Sequence, residues 1–133
     1  MEIDHGTFVL APEVTLATTE LAACVIGVRH SRDGQYSYVA TGDNSVSVFP
    51  VSAGNAIAET ASLDFGALPI SLCPDSDSEH VLIGGDDGGL RRIGSDGDVD
   101  FVSRSGGGWV DNAISHPVTG HRAWSVGRTL HVV

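Results

Sequence analysis

A strand–turn–strand–turn–strand pattern that recurs along the chain is the feature that most limits how it can fold. The clearest copy spans His30–Phe49, in which Asp33-Gly34 and Asp43-Asn44 mark two hairpin turns of two residues each. Gly, Asn and Asp tolerate best the backbone angles that short hairpin turns require. The residues between the turns are rich in aromatic and β-branched side chains, and those after the second turn alternate valine with serine, as half-buried strands do. The stretch therefore predicts three short antiparallel strands.

The same pattern returns twice. A second copy runs over Ile70–Ile93 and a third over Ala113–Val133, so that Gly42, Gly85 and Gly127 occupy equivalent positions. The spacing is about 43 residues, which lies within the range for one propeller blade. A sheet of this size cannot bury its own apolar face, so the copies must stack. We expect an all-β fold: a β-propeller fragment of about three four-stranded antiparallel blades, open unless more chain closes it.

These repeats divide the chain into four segments. Residues 1–21 are N-terminal strands that could close a ring, 22–65 the first blade, 66–108 the second and 109–133 an incomplete third. A helix over Val14–Val28 is the alternative for the N-terminal region, although its Thr, Val and Ile content disfavours it. The first strand of the first blade, Val25–His30, should be the innermost and its apolar residues buried.

The sequence HSRDGQYSYVATGDNSVSVF resembles the WD-repeat propeller family, in which a Ser-Pro-Asp-Gly-like turn leads to a Gly-Asp turn and an alternating strand. In that family a Ser or Thr, an Asp, a His and a Trp form a hydrogen-bonded set within each blade. Only Thr41, Asp43 and Asp87 match the set here. The family's Trp is replaced in all three copies, by Phe49, Ile93 and Val133.

Charge argues against two classes of partner. The 133 residues carry 17 acidic and 7 basic side chains, all of the latter Arg, for a net charge of −10. Binding to nucleic acid or to an anionic membrane needs a basic surface, so neither is expected, whereas a basic protein partner would suit. No secretory signal and no membrane-spanning apolar stretch is evident, and we expect a cytoplasmic protein.

Several patterns suggest chemistry that other features disfavour. Eight acids lie between Asp75 and Asp100, but none of the runs has the spacing of a calcium loop. His116 and His121 are five residues apart, yet Pro117 and Gly120 place them in a turn. The sequence therefore predicts turn residues, no metal, no cofactor and no catalytic site.

The two cysteines, Cys24 and Cys73, fall near the first strands of successive copies, where we expect ordinary core thiols. A disulfide between them would require their Cα atoms to lie within about 7 Å. Of the two tryptophans, Trp124 is expected in the core, whereas Trp109 could lie in the core or contact a partner.

The resemblance implies a non-catalytic protein–protein interaction platform, because WD-repeat propellers generally hold partners at the mouth of the ring. The residues carried to that mouth are Asp43, Asn44, Asp86, Asp87 and Arg128 in turns, with Trp109 and Asp111 at a blade entrance. Exposed sheet edges could also promote self-association. The alternative is a propeller that binds a metal or small ligand, with hydrolase or lyase activity, in a central channel lined by residues such as His30 and His116.

Overall fold

The structure is a computed structural model, and it describes residues 18–51 and 59–133. Within these residues there are eleven strands and no helix, arranged as three antiparallel sheets that do not close into a barrel. The predicted all-β, propeller-type class is therefore confirmed. Most of the predicted N-terminal strands lie outside the described residues, because these begin at residue 18. The helical alternative is wrong over residues 18–28, because residues 18–24 are irregular and a strand begins at Val25.

Each sheet is a meander of consecutive strands. Sheet 1 contains β1 (Val25–His30), β2 (Tyr36–Thr41), β3 (Ser45–Pro50) and β4 (Ala61–Asp64). Sheet 2 contains β5 (Pro69–Pro74), β6 (Val81–Gly85), β7 (Gly89–Ile93) and β8 (Val99–Arg104). Sheet 3 contains β9 (Val110–Ser115), β10 (Arg122–Val126) and β11 (Thr129–Val132). The first strands lie side by side in the order β1, β5, β9.

The turns are longer than the sequence suggested. Thr41 pairs with Ser45, so the loop between β2 and β3 has three residues, and Asn44 adopts a left-handed φ of 67° at its last position. Gly88 holds the equivalent position between β6 and β7, with φ 78°. The loop between β1 and β2 is closed by a bond from the Ser31 amide to the Tyr36 carbonyl. The prediction of turns at these places is confirmed, but their two-residue length is wrong.

Two apolar layers hold the sheets together. Between sheets 1 and 2, Tyr38, Val46 and Val48 pack with Val81 and Ile83, and all five are fully buried. Between sheets 2 and 3, another layer is formed by residues of both sheets: Leu82, Leu90, Val110, Trp124 and Val126. The alternation along β6 sends successive side chains to opposite layers, because neighbouring side chains of a strand point to opposite faces. Trp124 is therefore a core residue, as predicted.

A glycine permits the close approach of sheet 3. A Cβ atom on Gly84 would lie 2.6 Å from the Cβ of Val110, well inside van der Waals contact. The Ser71 hydroxyl, beside Gly84, donates a hydrogen bond of 2.7 Å to the Val110 carbonyl. Strand β9 of sheet 3 thus packs against β6 of sheet 2 at a point where a side chain is missing.

A polar cluster joins all three sheets at the edge where the β1–β2, β5–β6 and β9–β10 turns lie. The buried carboxylate of Asp75 accepts hydrogen bonds from Arg92 at 2.7 Å and, through both oxygens, from Arg122 at 3.1 and 2.9 Å. Arg32 of the β1–β2 turn donates to the Asp75 carbonyl at 2.7 Å and to the Ser115 carbonyl at 2.9 Å. Burial alone would raise the pKa of Asp75, but the two arginines outweigh it and lower that pKa to about 2.

Another arginine, Arg91, is enclosed at the opposite end of sheet 2. The Arg91 guanidinium lies between two aromatic rings, 4.2 Å from the centre of Phe65 and 4.5 Å from that of Phe101. Its nitrogens donate to both oxygens of Asp87, at 3.0 and 2.8 Å, and this pairing lowers the pKa of Asp87. In sheet 1 the equivalent turn is held by a single side-chain hydrogen bond, in which the Thr41 hydroxyl donates to the Asp43 carboxylate at 2.7 Å.

Candidate functional site

The innermost strands of the three sheets enclose a groove. It has a volume of about 470 Å³ and is lined by β1, β5 and β9, which lie next to one another. The prediction that Val25–His30 is an innermost strand is confirmed, but the prediction that its apolar residues are buried is wrong. Val25, Ile26 and Val28 are 51, 41 and 44% exposed, because none of the described residues forms a layer over this strand beside the groove.

Four polar side chains line this groove amid apolar ones. Arg29 comes from β1, Ser71 from β5, and Asp111 and Asn112 from β9. Ser71 is engaged with the Val110 carbonyl, so its proton is already committed. The groove therefore offers one cation, one carboxylate and one amide, supplied by two strands on opposite sides of β5.

Cys73 also lines the groove but is poorly suited to nucleophilic chemistry. Burial, followed by the nearby Asp75 charge, raises the pKa of its thiol to about 11. The thiol therefore stays protonated at neutral pH, and the thiolate is the nucleophilic form. Cys73 is half-buried and packs against the second apolar layer, whereas Cys24 is exposed, so the expectation of a core thiol is wrong for Cys24. Both cysteines are free thiols.

The residues predicted at the mouth of the ring lie together at one edge of the array. Asp43, Asn44, Asp86, Asp87 and Arg128 occupy the equivalent turns β2–β3, β6–β7 and β10–β11. Their carboxylates already have partners within the chain. Besides the Asp43 and Asp87 bonds, Asp86 accepts a hydrogen bond of 3.0 Å from the Leu68 amide. These acids therefore stabilise their own loops, and their role toward a partner stays a prediction.

The two residues predicted at the blade entrance, Trp109 and Asp111, lie in different environments. Trp109 is 57% exposed and lies just before β9, so of the core and contact alternatives the exposed position is the observed one. Asp111 lies in the groove and is thus the one predicted site residue that belongs to it.

The histidines suggested for a central channel do not line the groove. The Nδ1 atom of His30 is 2.9 Å from the Ser37 hydroxyl, and His116 accepts hydrogen bonds from two amides of its own turn. His116 and His121 instead border a separate cavity of 230 Å³ beside Val132. Within residues 18–51 and 59–133, no three acids, histidines or cysteines are grouped closely enough to hold a metal ion.

Sequence reasoning missed Arg29, Ser71 and Asn112. One signal could have found two of them: the inner strands read VIGVRH and VDNAIS, where charged or amide residues interrupt a mostly apolar run. Ser71 carried no such signal, because a single serine in a strand is ordinary.

Comparison with known proteins supports the fold. No family model and no curated protein matches the chain. Its structure is similar to that of a protein from Bacteroides fragilis that is provisionally described as a 6-phosphogluconolactonase, with a TM-score of 0.59 and 13% identity. The match covers 77% of this chain and 32% of the other, so the chain spans about a third of that structure's length. At this identity the likeness shows the fold alone.

This comparison corrects the functional interpretation drawn from the sequence. The interaction platform was inferred from the WD-repeat resemblance, whereas the structural match is to a protein provisionally described as a 6-phosphogluconolactonase. The platform interpretation is therefore not retained.

The part of the chain described contains no helix that is long and apolar enough to cross a membrane.

Proposed function

We propose that the groove between β1, β5 and β9 binds a small anionic ligand and belongs to a hydrolase of the lactonase type. The convergence of Arg29, Asp111 and Asn112 in a cavity of about 470 Å³ carries this proposal. Small-molecule sites generally have volumes of about 300–1,000 Å³ and are mostly apolar, with a few polar groups that fix orientation. The groove has a volume in this range and several convergent polar groups.

The residues suit a phosphorylated sugar lactone, the substrate that the name of the Bacteroides protein implies. An arginine recognises phosphate through a planar, permanently charged fork, and Arg29 is the one arginine lining the groove. The Asn112 amide offers two donors and one acceptor for sugar hydroxyls. The apolar residues Ile26, Ile70 and Leu72 also line the groove and can contact the C–H groups of the sugar ring.

Asp111 would act on water. In lactone hydrolysis a water oxygen adds to the carbonyl carbon, its proton passes to the Asp111 carboxylate, and the ring C–O bond breaks. The proton is then returned to the leaving alkoxide, and the product is the open hydroxy acid. A carboxylate within hydrogen-bond reach of water is a suitable general base for this step.

The experiment uses the purified chain with 6-phosphogluconolactone. We expect the lactone to disappear faster than it hydrolyses spontaneously, and we expect Asp111→Asn to lower kcat by at least about 100-fold, the usual contribution of a general base. Arg29→Gln should instead raise KM, because it removes binding of the phosphate. The sequence-based expectation that the chain is not an enzyme stays a prediction, and this assay tests it directly.

Two controls match these substitutions outside the groove. Arg104→Gln and Asp100→Asn change the same residue types on β8, and both should leave hydrolysis unchanged. Binding of 6-phosphogluconate, measured by calorimetry, separates recognition from chemistry. A chain that neither binds the product nor accelerates hydrolysis would refute the proposal, as would equal losses in the groove and β8 variants.

A further inference from the structure

Each innermost strand carries a β-bulge at the same place. In β1, Val25 and Gly27 pair with successive residues of β2, so Ile26 is an extra residue without a partner in the ladder. The corresponding extra residues are Ile70 in β5 and Asp111 in β9, and all three line the groove. A bulge re-aims a side chain out of the regular ladder, and bulges are common beside functional sites. Asp111 is therefore a carboxylate at a position where the other two strands carry isoleucine.

The three innermost strands run in the same direction, and hydrogen bonds hold their equivalent residues at the same level. The Ser115 hydroxyl of β9 donates at 3.0 Å to the carbonyl of Pro74, the equivalent residue of β5. Near the bulges, the bond from Ser71 to the Val110 carbonyl joins β5 to β9 again. Arg32, in the turn after β1, donates to carbonyls at the ends of the other two strands. The three bulges therefore lie at one level of the groove.

The two charged residues of the groove lie at different levels. Arg29 lies beyond the bulge of β1, level with Cys73 of β5 and Ile114 of β9, and all three line the groove. A strand advances about 3.3 Å per residue and a bulge shortens that advance, so the Arg29 level lies roughly 7–10 Å along the groove from the Asp111 level. The cation and the carboxylate are therefore attached at opposite ends of the groove.

We propose that the groove selects its substrate by length, with the phosphate held at the Arg29 level and the lactone carbonyl at the Asp111 level; this inference rests on the proposed function. In a six-carbon lactone with a terminal phosphate, the ring oxygen, two carbons and an ester oxygen separate the carbonyl carbon from the phosphorus, an extended length of about 6 Å. Hydrogen bonds to the phosphate and to the attacking water add a few ångström, which matches the separation of the two levels. A ligand whose anionic group adjoins the reacting carbonyl is too short to use both residues.

Moving the arginine between levels tests this selection by length. Arg29→Gln removes the cation and should raise KM for 6-phosphogluconolactone by at least about tenfold. Adding Ile114→Arg restores a cation at the same level on another strand, and KM should return to within about threefold of the wild type. Adding Ile26→Arg instead restores the same charge at the Asp111 level, and KM should stay high. Ile114 and Ile26 are 66 and 41% exposed, so both positions can accept the longer side chain.

Gluconolactone without the phosphate provides the internal control. The ratio of kcat/KM for the phosphorylated and unphosphorylated lactones does not change with the fraction of folded chain, because both rates scale with it. The wild type and the Ile114→Arg double variant should keep this preference, and the Ile26→Arg double variant should lose it. A wild-type chain that neither hydrolyses the lactone nor binds 6-phosphogluconate would refute the proposed function and this inference together. An active wild type whose preference returns equally in both double variants, in neither, or only with Ile26→Arg would overturn the selection by length alone.

Discussion

Sheets 2 and 3 are built from the same repeat, yet the same position is buried in one and exposed in the other. Leu90 of β7 and Leu130 of β11 are equivalent leucines, and their exposed fractions are 0 and 69%. The difference does not come from the local sequence, because both follow a glycine-containing turn in an alternating strand. It comes from the neighbour, since sheet 2 lies between two sheets, whereas sheet 3 has one neighbouring sheet among the described residues. In a stacked array, each repeat depends on the next to bury its apolar face.

The polar cluster at Asp75 provides the largest test of this comparison, because it ties sheet 3 to sheet 2. Asp75→Ala leaves Arg92 and Arg122 without their buried carboxylate, and removing one partner of a buried ion pair costs about 3–5 kcal/mol. Urea unfolding followed by circular dichroism measures the loss. Asp100→Ala, at an exposed site on β8, is the control and should change the free energy of unfolding by less than about 0.5 kcal/mol.

The equivalent leucines provide the next test. Leu90→Ala should lower the free energy of unfolding by about 2–5 kcal/mol, the usual cost of a cavity in a packed layer. Leu130→Ala should change it by no more than about 0.5 kcal/mol, as for other exposed sites. Both are measured by urea unfolding followed by circular dichroism. Similar losses in the two variants would show that sheet 3 has a cover that the structure does not show.

The smallest effect is on the pH dependence of stability. The pKa of Asp75 is about 2 in the folded chain and near 3.8 when unfolded, so the unfolded chain binds the proton more readily. The resulting stabilisation, on the order of 2 kcal/mol, is present above the unfolded pKa and is lost as the pH falls from about 5 toward 2. Asp75→Asn should flatten the stability profile in this acidic range. If the stability profile of this variant is unchanged in the acidic range, other carboxylates determine the loss of stability there.

The fold could be predicted from the sequence because its signals are local and repeated. Turn residues such as Asn44 and the alternating valines of β3 act within a few residues, and three imperfect copies identified the stacking of sheets. Burial could not be predicted equally well, because it depends on which faces meet. Val28 and Leu130 have the pattern of core residues, but one lies beside an open groove and the other on an uncovered face.

The candidate site was less predictable than the fold. Asp111 was singled out at a blade entrance, but Arg29 was not, because the residues that share the groove are about 80 positions apart in sequence and meet only through the stacking of inner strands. The turn acids drew attention by their number. Their hydrogen bonds, such as that between Asp86 and the Leu68 amide, show how a conspicuous cluster can serve its own loops.

Arg32 gives the array a long-range connection. Its guanidinium, which belongs to the first hairpin, donates to a carbonyl of sheet 2 and to the Ser115 carbonyl of sheet 3. Sheets 1 and 3 are therefore coupled across the one between them, and a disturbance of the first hairpin should be felt at the end of β9. Arg29 belongs to β1 of that hairpin and Asp111 belongs to β9. We therefore expect the width of the groove to depend on Arg32, which lies outside it.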